Sequence, residues 1–215
     1  MLRIIGGSRR ARRLKAPIGR KVRPTSERAR EAIFNILQHS NLSGPPLNGS
    51  KALDLFAGTG ALGLEAASRG ATFVTCIEND SAAIACITSN VESLGFEAHV
   101  NIIQADATNL PKAHSNFDYV FLDPPYGHGY STLALHSIDQ GKWLNEEAIV
   151  ILESSGKELP SMSNTGTDML LTFDMFKEFL ARLAKAFHAK EHRSMPLEIK
   201  VRKLLEKIEE ENRVP

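Results

Sequence analysis

Two cysteines in 215 residues, Cys76 and Cys86, are too few for a disulfide framework, and their spacing matches no zinc motif. A reducing compartment fits that usage. No apolar run approaches the roughly 20 residues of a membrane-spanning helix, and the N-terminus lacks the apolar core of a signal peptide. These absences predict a soluble, cytoplasmic protein with no membrane attachment. No repeat and no low-complexity tract is present. Net charge is nearly absent too, at +1, but the balance conceals an asymmetry. Residues 1–30 hold eleven Lys or Arg and one acid, Glu27, so the remainder carries −9. A basic arm ahead of an acidic body predicts a polyanionic partner. Gly6-Gly7, Pro17-Ile18-Gly19 and Pro24 punctuate the arm too often for the single amphipathic helix of a transit peptide.

What is present is enough apolar residue, 42%, for a sizeable core. The most informative stretch runs from Leu53 to Gly70. Ala52 to Phe56 reads as a strand buried on both faces, Ala57 to Gly60 as a glycine turn, and Ala61 to Arg69 as a helix. Gly58, Gly60 and Gly63 have the spacing G-x-G-x-x-G, and Glu78 follows Gly60 by eighteen residues at the end of an apolar run. Glycines let a backbone turn sharply against a ligand, and a distal acid accepts hydrogen bonds from ribose hydroxyls. Taken alone, this pattern fits either a dinucleotide or S-adenosylmethionine.

Further elements alternate. The arm begins with a candidate hairpin, Leu2 to Ile5 returning through Arg12, Leu14 and Ala16. Its arginines, Arg9, Arg10, Arg12 and Arg13, would form a basic surface suited to phosphates. A helix starts at Pro24-Thr25-Ser26, with Thr25 or Ser26 as N-cap. Ala29, Ala32, Ile33, Ile36 and Leu37 supply its buried stripe, leaving Arg28, Arg30 and Glu31 off it. Arg28 and Arg30 join this candidate phosphate-binding set. The clearest linker is Asn41 to Ser50. Strands are predicted over Thr72 to Glu78, His99 to Gln104, Phe117 to Leu122 and Ala148 to Glu153, and helices over Ser81 to Leu94 and Ser131 to Gln140. Gly95 is the expected stop of the first of these helices. The fold class is therefore α/β, a doubly wound and mainly parallel sheet with an N-terminal basic extension. Three parts are expected: a basic arm and helix over 1–40, a catalytic core over 51–153, and a C-terminal part over 154–215.

Asp123-Pro124-Pro125-Tyr126 discriminates between cofactors. It follows a strand on the sheet edge that carries the glycine turn. Consecutive prolines stiffen the backbone and donate nothing. The segment offers a carboxylate, carbonyl oxygens and an aromatic face, which suits a planar base with an exocyclic amino group. A hydride-transfer site has no use for that set. These four residues are the candidate catalytic group.

Asp-Pro-Pro-Tyr after a glycine-rich first turn resembles the class I S-adenosylmethionine-dependent methyltransferases, with a Rossmann-like fold, that act on amino nitrogens of bases. Ile4-Ile5-Gly6-Gly7, the run Arg23 to Leu37 (RPTSERAREAIFNIL) and Asp54 to Ala66 (DLFAGTGALGLEA) narrow this to the RsmD-type family, which methylates a guanine N2 of bacterial 16S ribosomal RNA. The resemblance covers residues 1–153. It implies that Ala57, Gly58 and Gly60 line the methionine end of the cofactor, that Glu78 holds the ribose, that Asn79 lies near the adenine, and that Asp106 approaches the adenine amino group. It further implies an RNA or small-subunit-particle substrate, a monomer without an obligate protein partner, and no metal. It also implies an antiparallel strand pair closing the sheet, whereas Ser154 to Pro215 shows a helix-like stripe (Phe176, Phe179, Leu180, Leu183, Phe187) and a charged tail. His188 and His192 there lack an evident third ligand and read as a helical face. A DNA adenine N6-methyltransferase and a non-catalytic RNA-binding factor remain open alternatives.

Overall fold

The computed structural model describes residues 2–17, 27–39, 45–125, 128–153 and 170–172. Six strands form one sheet: β1 (Lys51–Leu55), β2 (Phe73–Glu78), β3 (Val100–Gln104), β4 (Phe117–Leu122), β5 (Leu144–Leu152) and β6 (Leu170–Thr172). Their order is β3-β2-β1-β4-β5-β6 and every pairing is parallel. The chain moves outward from β1 to β3, then returns to the other side of β1 as β4. That reversal creates a crevice at the carboxyl ends of β1 and β4.

Alternation along the strands divides the core in two. Ala52, Val74, Cys76, Tyr119, Phe121, Ile149 and Ile151 lie in one cluster with α1 (Glu27–His39), α2 (Ala61–Ser68) and α3 (Ser81–Leu94). Leu53, Leu55, Ile77, Val120, Leu122, Val150 and Leu152 share the other with α4 (Tyr130–Gln140). In α1, Ala29, Ile33 and Leu37 are buried. So is Phe34, whose ring centroid lies 5.3 Å from that of Phe121. Asp80 caps α3 by accepting from the Ala83 N–H at 2.9 Å, and Gly95 ends it in the left-handed region.

Differences from the sequence reading have local causes. β1 stops at Leu55 because Phe56 has φ +57. β5 begins at Leu144, four residues early, with a register shift against β4 that accommodates the exposed residues Asn145, Glu146 and Glu147. β6 runs parallel to β5, where the resemblance implied an antiparallel strand pair closing the sheet. The proposed N-cap of α1, the stripe from Phe176 to Phe187 and the His188/His192 pair lie outside the described residues.

The N-terminal hairpin forms and is bolted to α2 and α3. Ile4 N–H donates to Arg12 C=O at 2.9 Å, and Leu14 N–H to Leu2 C=O at 3.0 Å. Glu65, fully buried on α2, accepts from the N–H groups of Ile5 at 2.7 Å and Gly6 at 2.8 Å, and from Arg69 Nε at 2.6 Å. A buried carboxylate needs such partners, since leaving one unpaired costs several kcal/mol. Ser68 adds a bond to Gly6 C=O at 2.6 Å. Farther along, Asn90 of α3 accepts from Lys15 N–H at 2.7 Å.

Gly7 marks the closest approach of hairpin to helix. Its φ is +72, and a Cβ there would stand 1.8 Å from Ser68 C=O. Gly7→Ala is therefore expected to destabilise the fold by more than the roughly 1–2 kcal/mol of a left-handed alanine alone. Urea denaturation measures this; a midpoint equal to that of wild type would show that the hairpin does not need this contact.

Candidate active site

Parallel register brings the candidate residues to one edge. Leu55 pairs with Ile77 on one side and Leu122 on the other, and Glu78 pairs with Gln104. The segments that follow these pairs therefore leave the sheet next to one another. They are Phe56-Ala57-Gly58 after β1, Asn79 after β2, Ala105-Asp106 after β3, and Asp123-Pro124-Pro125 after β4.

The glycine turn is held from three directions. Ala57 N–H extends the ladder to Ile77 C=O at 3.1 Å, and Gly60 N–H closes the turn on Ala57 C=O at 2.7 Å. Gly58 and Gly60 have φ +56 and +74, which a side chain disfavours. At Gly63 a Cβ would stand 3.0–3.1 Å from Val74, Asp54 and Cys76, so this glycine lets α2 lie close to the sheet. Glu78 accepts from Gly58 N–H at 2.8 Å through one carboxylate oxygen, and from the N–H groups of Asn79 and Asp80 at 2.9 Å through the other.

Asn79 is exposed, and its carbonyl accepts from Gln104 Nε2 at 3.4 Å. Asp106 is exposed, with Oδ1 accepting from Thr108 N–H at 2.9 Å and Thr108 Oγ1 at 2.7 Å. Asp123 is half-buried, Pro124 buried and Pro125 exposed. Tyr126 lies outside the described residues.

Similarity to known proteins meets this geometry. A family described as Conserved hypothetical protein 95 matches residues 2–169. Ribosomal RNA small subunit methyltransferase D of Escherichia coli (strain K12) is 36% identical over 154 residues, 71% of this chain and 74% of that protein. YlbH of Bacillus subtilis (strain 168) is 35% identical over 176 residues, 80% of this chain and 91% of its own. The solved structure of yhhF from Escherichia coli aligns with a TM-score of 0.65 and 35% identity, covering 75% of this chain and 85% of that one. The chain belongs to this family, that of the RsmD-type methyltransferases. It has the class I, Rossmann-like fold and is an enzyme that uses a methyl donor.

The basic candidates divide. Arg10, Arg12, Arg13 and Arg28 are exposed. Arg9 is committed to the fold: its Nε donates to Leu94 C=O at the end of α3 at 2.6 Å, and its guanidinium lies 5.3 Å from the Phe96 ring centroid. Arg30 is corrected more strongly. It is 1% exposed, and its Nη2 donates to Arg3 C=O at 3.0 Å. Burial lowers its pKa from the ordinary guanidinium value. Placing Arg30 off the apolar stripe made it look solvent-facing; the hairpin that covers α1 is a tertiary contact.

Sequence reasoning passed over Asp54, Phe56, His128 and Tyr130. The available signal for Asp54 was an acid inside a strand otherwise apolar. It is 2% exposed and accepts from Gly63 N–H at 2.8 Å. Burial pushes its pKa up to about 8, against the Gly63 bond, and the negative charges of Asp123 and Glu78 add to the rise.

That shift has a sign. The folded pKa of about 8 exceeds the unfolded value near 3.8. The stabilising contribution is full below the unfolded value, declines as the unfolded chain ionises first, and is lost as pH rises through about 8. Asp54→Asn keeps the shape and an acceptor for Gly63 but cannot titrate. It is expected to remove a stability decline on the order of a few kcal/mol across that window. Urea midpoints taken from pH 5 to pH 8 read the effect; parallel slopes for the two proteins would exclude Asp54 as its source.

Proposed function

We propose that the protein transfers a methyl group from S-adenosylmethionine to the exocyclic N2 of a guanine in 16S ribosomal RNA of the small subunit. The observation that carries this reading is the adjacent exit of the glycine turn and Asp123-Pro124-Pro125 from the paired ends of β1 and β4. The substrate assignment draws on the relatives named as small-subunit ribosomal RNA methyltransferases.

The residues present fit the cofactor. A Cβ placed at Gly58 would meet no atom nearer than 3.8 Å, so the turn has open space beside it. Glu78 and Asp123 lie close enough to Asp54 to act on it electrostatically, and these two acids make an environment suited to a cation. A carboxylate has about four lone-pair sites. Glu78 uses three for backbone N–H groups, which leaves capacity to receive a ribose hydroxyl. Ala57, Gly58 and Gly60 line the methionine end, while Asn79 and Asp106 flank the adenine. When bound, S-adenosylmethionine supplies an electrophilic methyl group and its own leaving group. Asp123 and the Pro124 carbonyl accept hydrogen bonds from the target amino group. That pairing favours a pyramidal nitrogen and aims its lone pair, so orientation supplies much of the rate. Tyr126 stacks on the base once it has left its neighbours. The protein acts as a monomer in the cytoplasm.

Incubation with labelled S-adenosylmethionine and unmethylated 16S RNA, small-subunit particles or DNA, followed by nucleoside analysis, tests the whole reading. Labelled N2-methylguanosine is the expected product; N6-methyladenosine from DNA would overturn it. Two variants separate binding from chemistry. Glu78→Ala is expected to lose about 1.5–3 kcal/mol of cofactor affinity, roughly ten- to a hundredfold by calorimetry. Asp123→Ala is expected to keep cofactor affinity and lose most transfer. Near-normal turnover in Asp123→Ala would remove it from the mechanism.

The exposed arginines of the hairpin supply affinity and positioning through RNA phosphates. Replacing Arg10, Arg12 and Arg13 with Ala is expected to flatten the log–log salt dependence of RNA binding by about 2, at roughly 0.7 per lost phosphate contact. Calorimetry on the same variant should give wild-type cofactor affinity. An unchanged salt slope would make the hairpin a purely structural element.

A further inference from the structure

Three aromatic rings stand in a row on the catalytic edge, and the reaction described above uses none of them. Phe56 and Tyr130 have centroids 6.1 Å apart with planes tilted by 32°. Tyr130 and His128 follow at 5.2 Å and 34°. The row begins inside and ends in solvent. Phe56 packs against the core cluster shared by the sheet and α4, Tyr130 is half-buried, and His128 is exposed. The pairs Phe34–Phe121 and Phe117–Trp143 differ, since all four of their rings are buried in the core.

The backbone pays for this arrangement. Phe56 holds φ +57, a left-handed conformation that is an outlier for a bulky residue. Strain of this kind persists where the surrounding structure over-determines it, often at a functional site. Gly129, between His128 and Tyr130, also has positive φ, +66. One turn into α4, Leu133 is 50% exposed, the large apolar side chain left in solvent among the described residues. It lies three residues after Tyr130, hence on the same side of the helix. The sheet edge that carries Asp123-Pro124-Pro125 therefore also carries an aromatic and apolar strip.

We propose that His128 and Tyr130, backed by Phe56, form a stacking platform for the unpaired nucleobase next to the methylated one. The proposal rests on the RNA reading above. A base drawn out of an RNA strand leaves its neighbour unstacked, and an aromatic face replaces the lost stacking without selecting a sequence. His128 and Tyr130 are positioning residues: they hold the strand and do not touch the reacting atoms.

Steady-state transfer to a 16S RNA fragment tests this, with cofactor affinity measured alongside. Tyr130→Ala and His128→Ala are each expected to raise KM for RNA about tenfold, to leave kcat within about twofold, and to leave S-adenosylmethionine affinity unchanged. Tyr130→Phe keeps the ring and is expected to behave as wild type. An abasic nucleotide placed beside the target guanine, on one side only, is expected to reproduce the loss in wild type and to add nothing in Tyr130→Ala. His128 is exposed, so its variant reports even if Tyr130→Ala folds poorly. Unchanged KM in both alanine variants, or losses that multiply with the abasic substitution, would overturn the platform. So would a loss confined to the assembled particle, which would mean that the strip meets a protein. A wild-type enzyme that methylates no RNA would overturn the RNA reading itself and the platform with it.

Discussion

The Glu78 carboxylate stands at the end of β2 and accepts three backbone N–H groups, one of them from Gly58 in the neighbouring β1 turn. Strand pairing between β1 and β2 stops with Leu55 and Ile77. Beyond that point, the chain carries a turn with two left-handed glycines. The carboxylate, joined by the Ala57 bond to Ile77, continues the connection where the ladder ends. The turn's shape is thus set by a side chain of the next strand before any ligand arrives. Charge-assisted bonds of this kind are short and about twice as strong as neutral ones. A residue proposed to hold the cofactor is also a structural tie.

Glu65 repeats the principle on the other side of α2. It takes two N–H groups from the hairpin and the guanidinium of Arg69, all within 2.8 Å. Its burial is tolerable because its lone pairs are filled. The consequence reaches the basic arm. Once the hairpin is docked, Arg9 caps α3 and Arg30 is enclosed beneath the hairpin, while Arg10, Arg12 and Arg13 still face solvent. The arm's charge is divided between building the fold and facing solvent.

Asp54, Glu78 and Asp123 place three carboxyl groups near one crevice, and burial keeps Asp54 protonated at neutral pH. The site therefore avoids three mutually repelling charges while remaining electronegative. Asp54 instead acts as an acceptor for the Gly63 N–H at the start of α2. Gly63 has no room for a side chain, which brings helix and strand within reach of that bond.

Local pattern was enough for much of this protein. Apolar alternation and glycine punctuation placed β4 and α3 at their observed limits and the other described core elements within a few residues. The G-x-G-x-x-G spacing and the Asp-Pro-Pro segment were legible because glycine and proline mark a turn in the chain itself, although the contacts that fix the turn's shape come from β2. The start of β5 was not legible, since Asn145, Glu146 and Glu147 look like loop residues until β4 pairs beside them. Nor was the fate of individual charges. Helical periodicity put Arg30 on a polar face, yet the hairpin covers that face and buries it. Glu65 and Asp54 read as ordinary acids, and only packing shows one bolting down the arm and the other holding a proton. Periodicity records which residues share a side of an element. What lies against that side, and so whether a charge is solvated, paired or neutralised, depends on contacts between residues as far apart as Arg9 and Leu94, which tertiary structure alone decides.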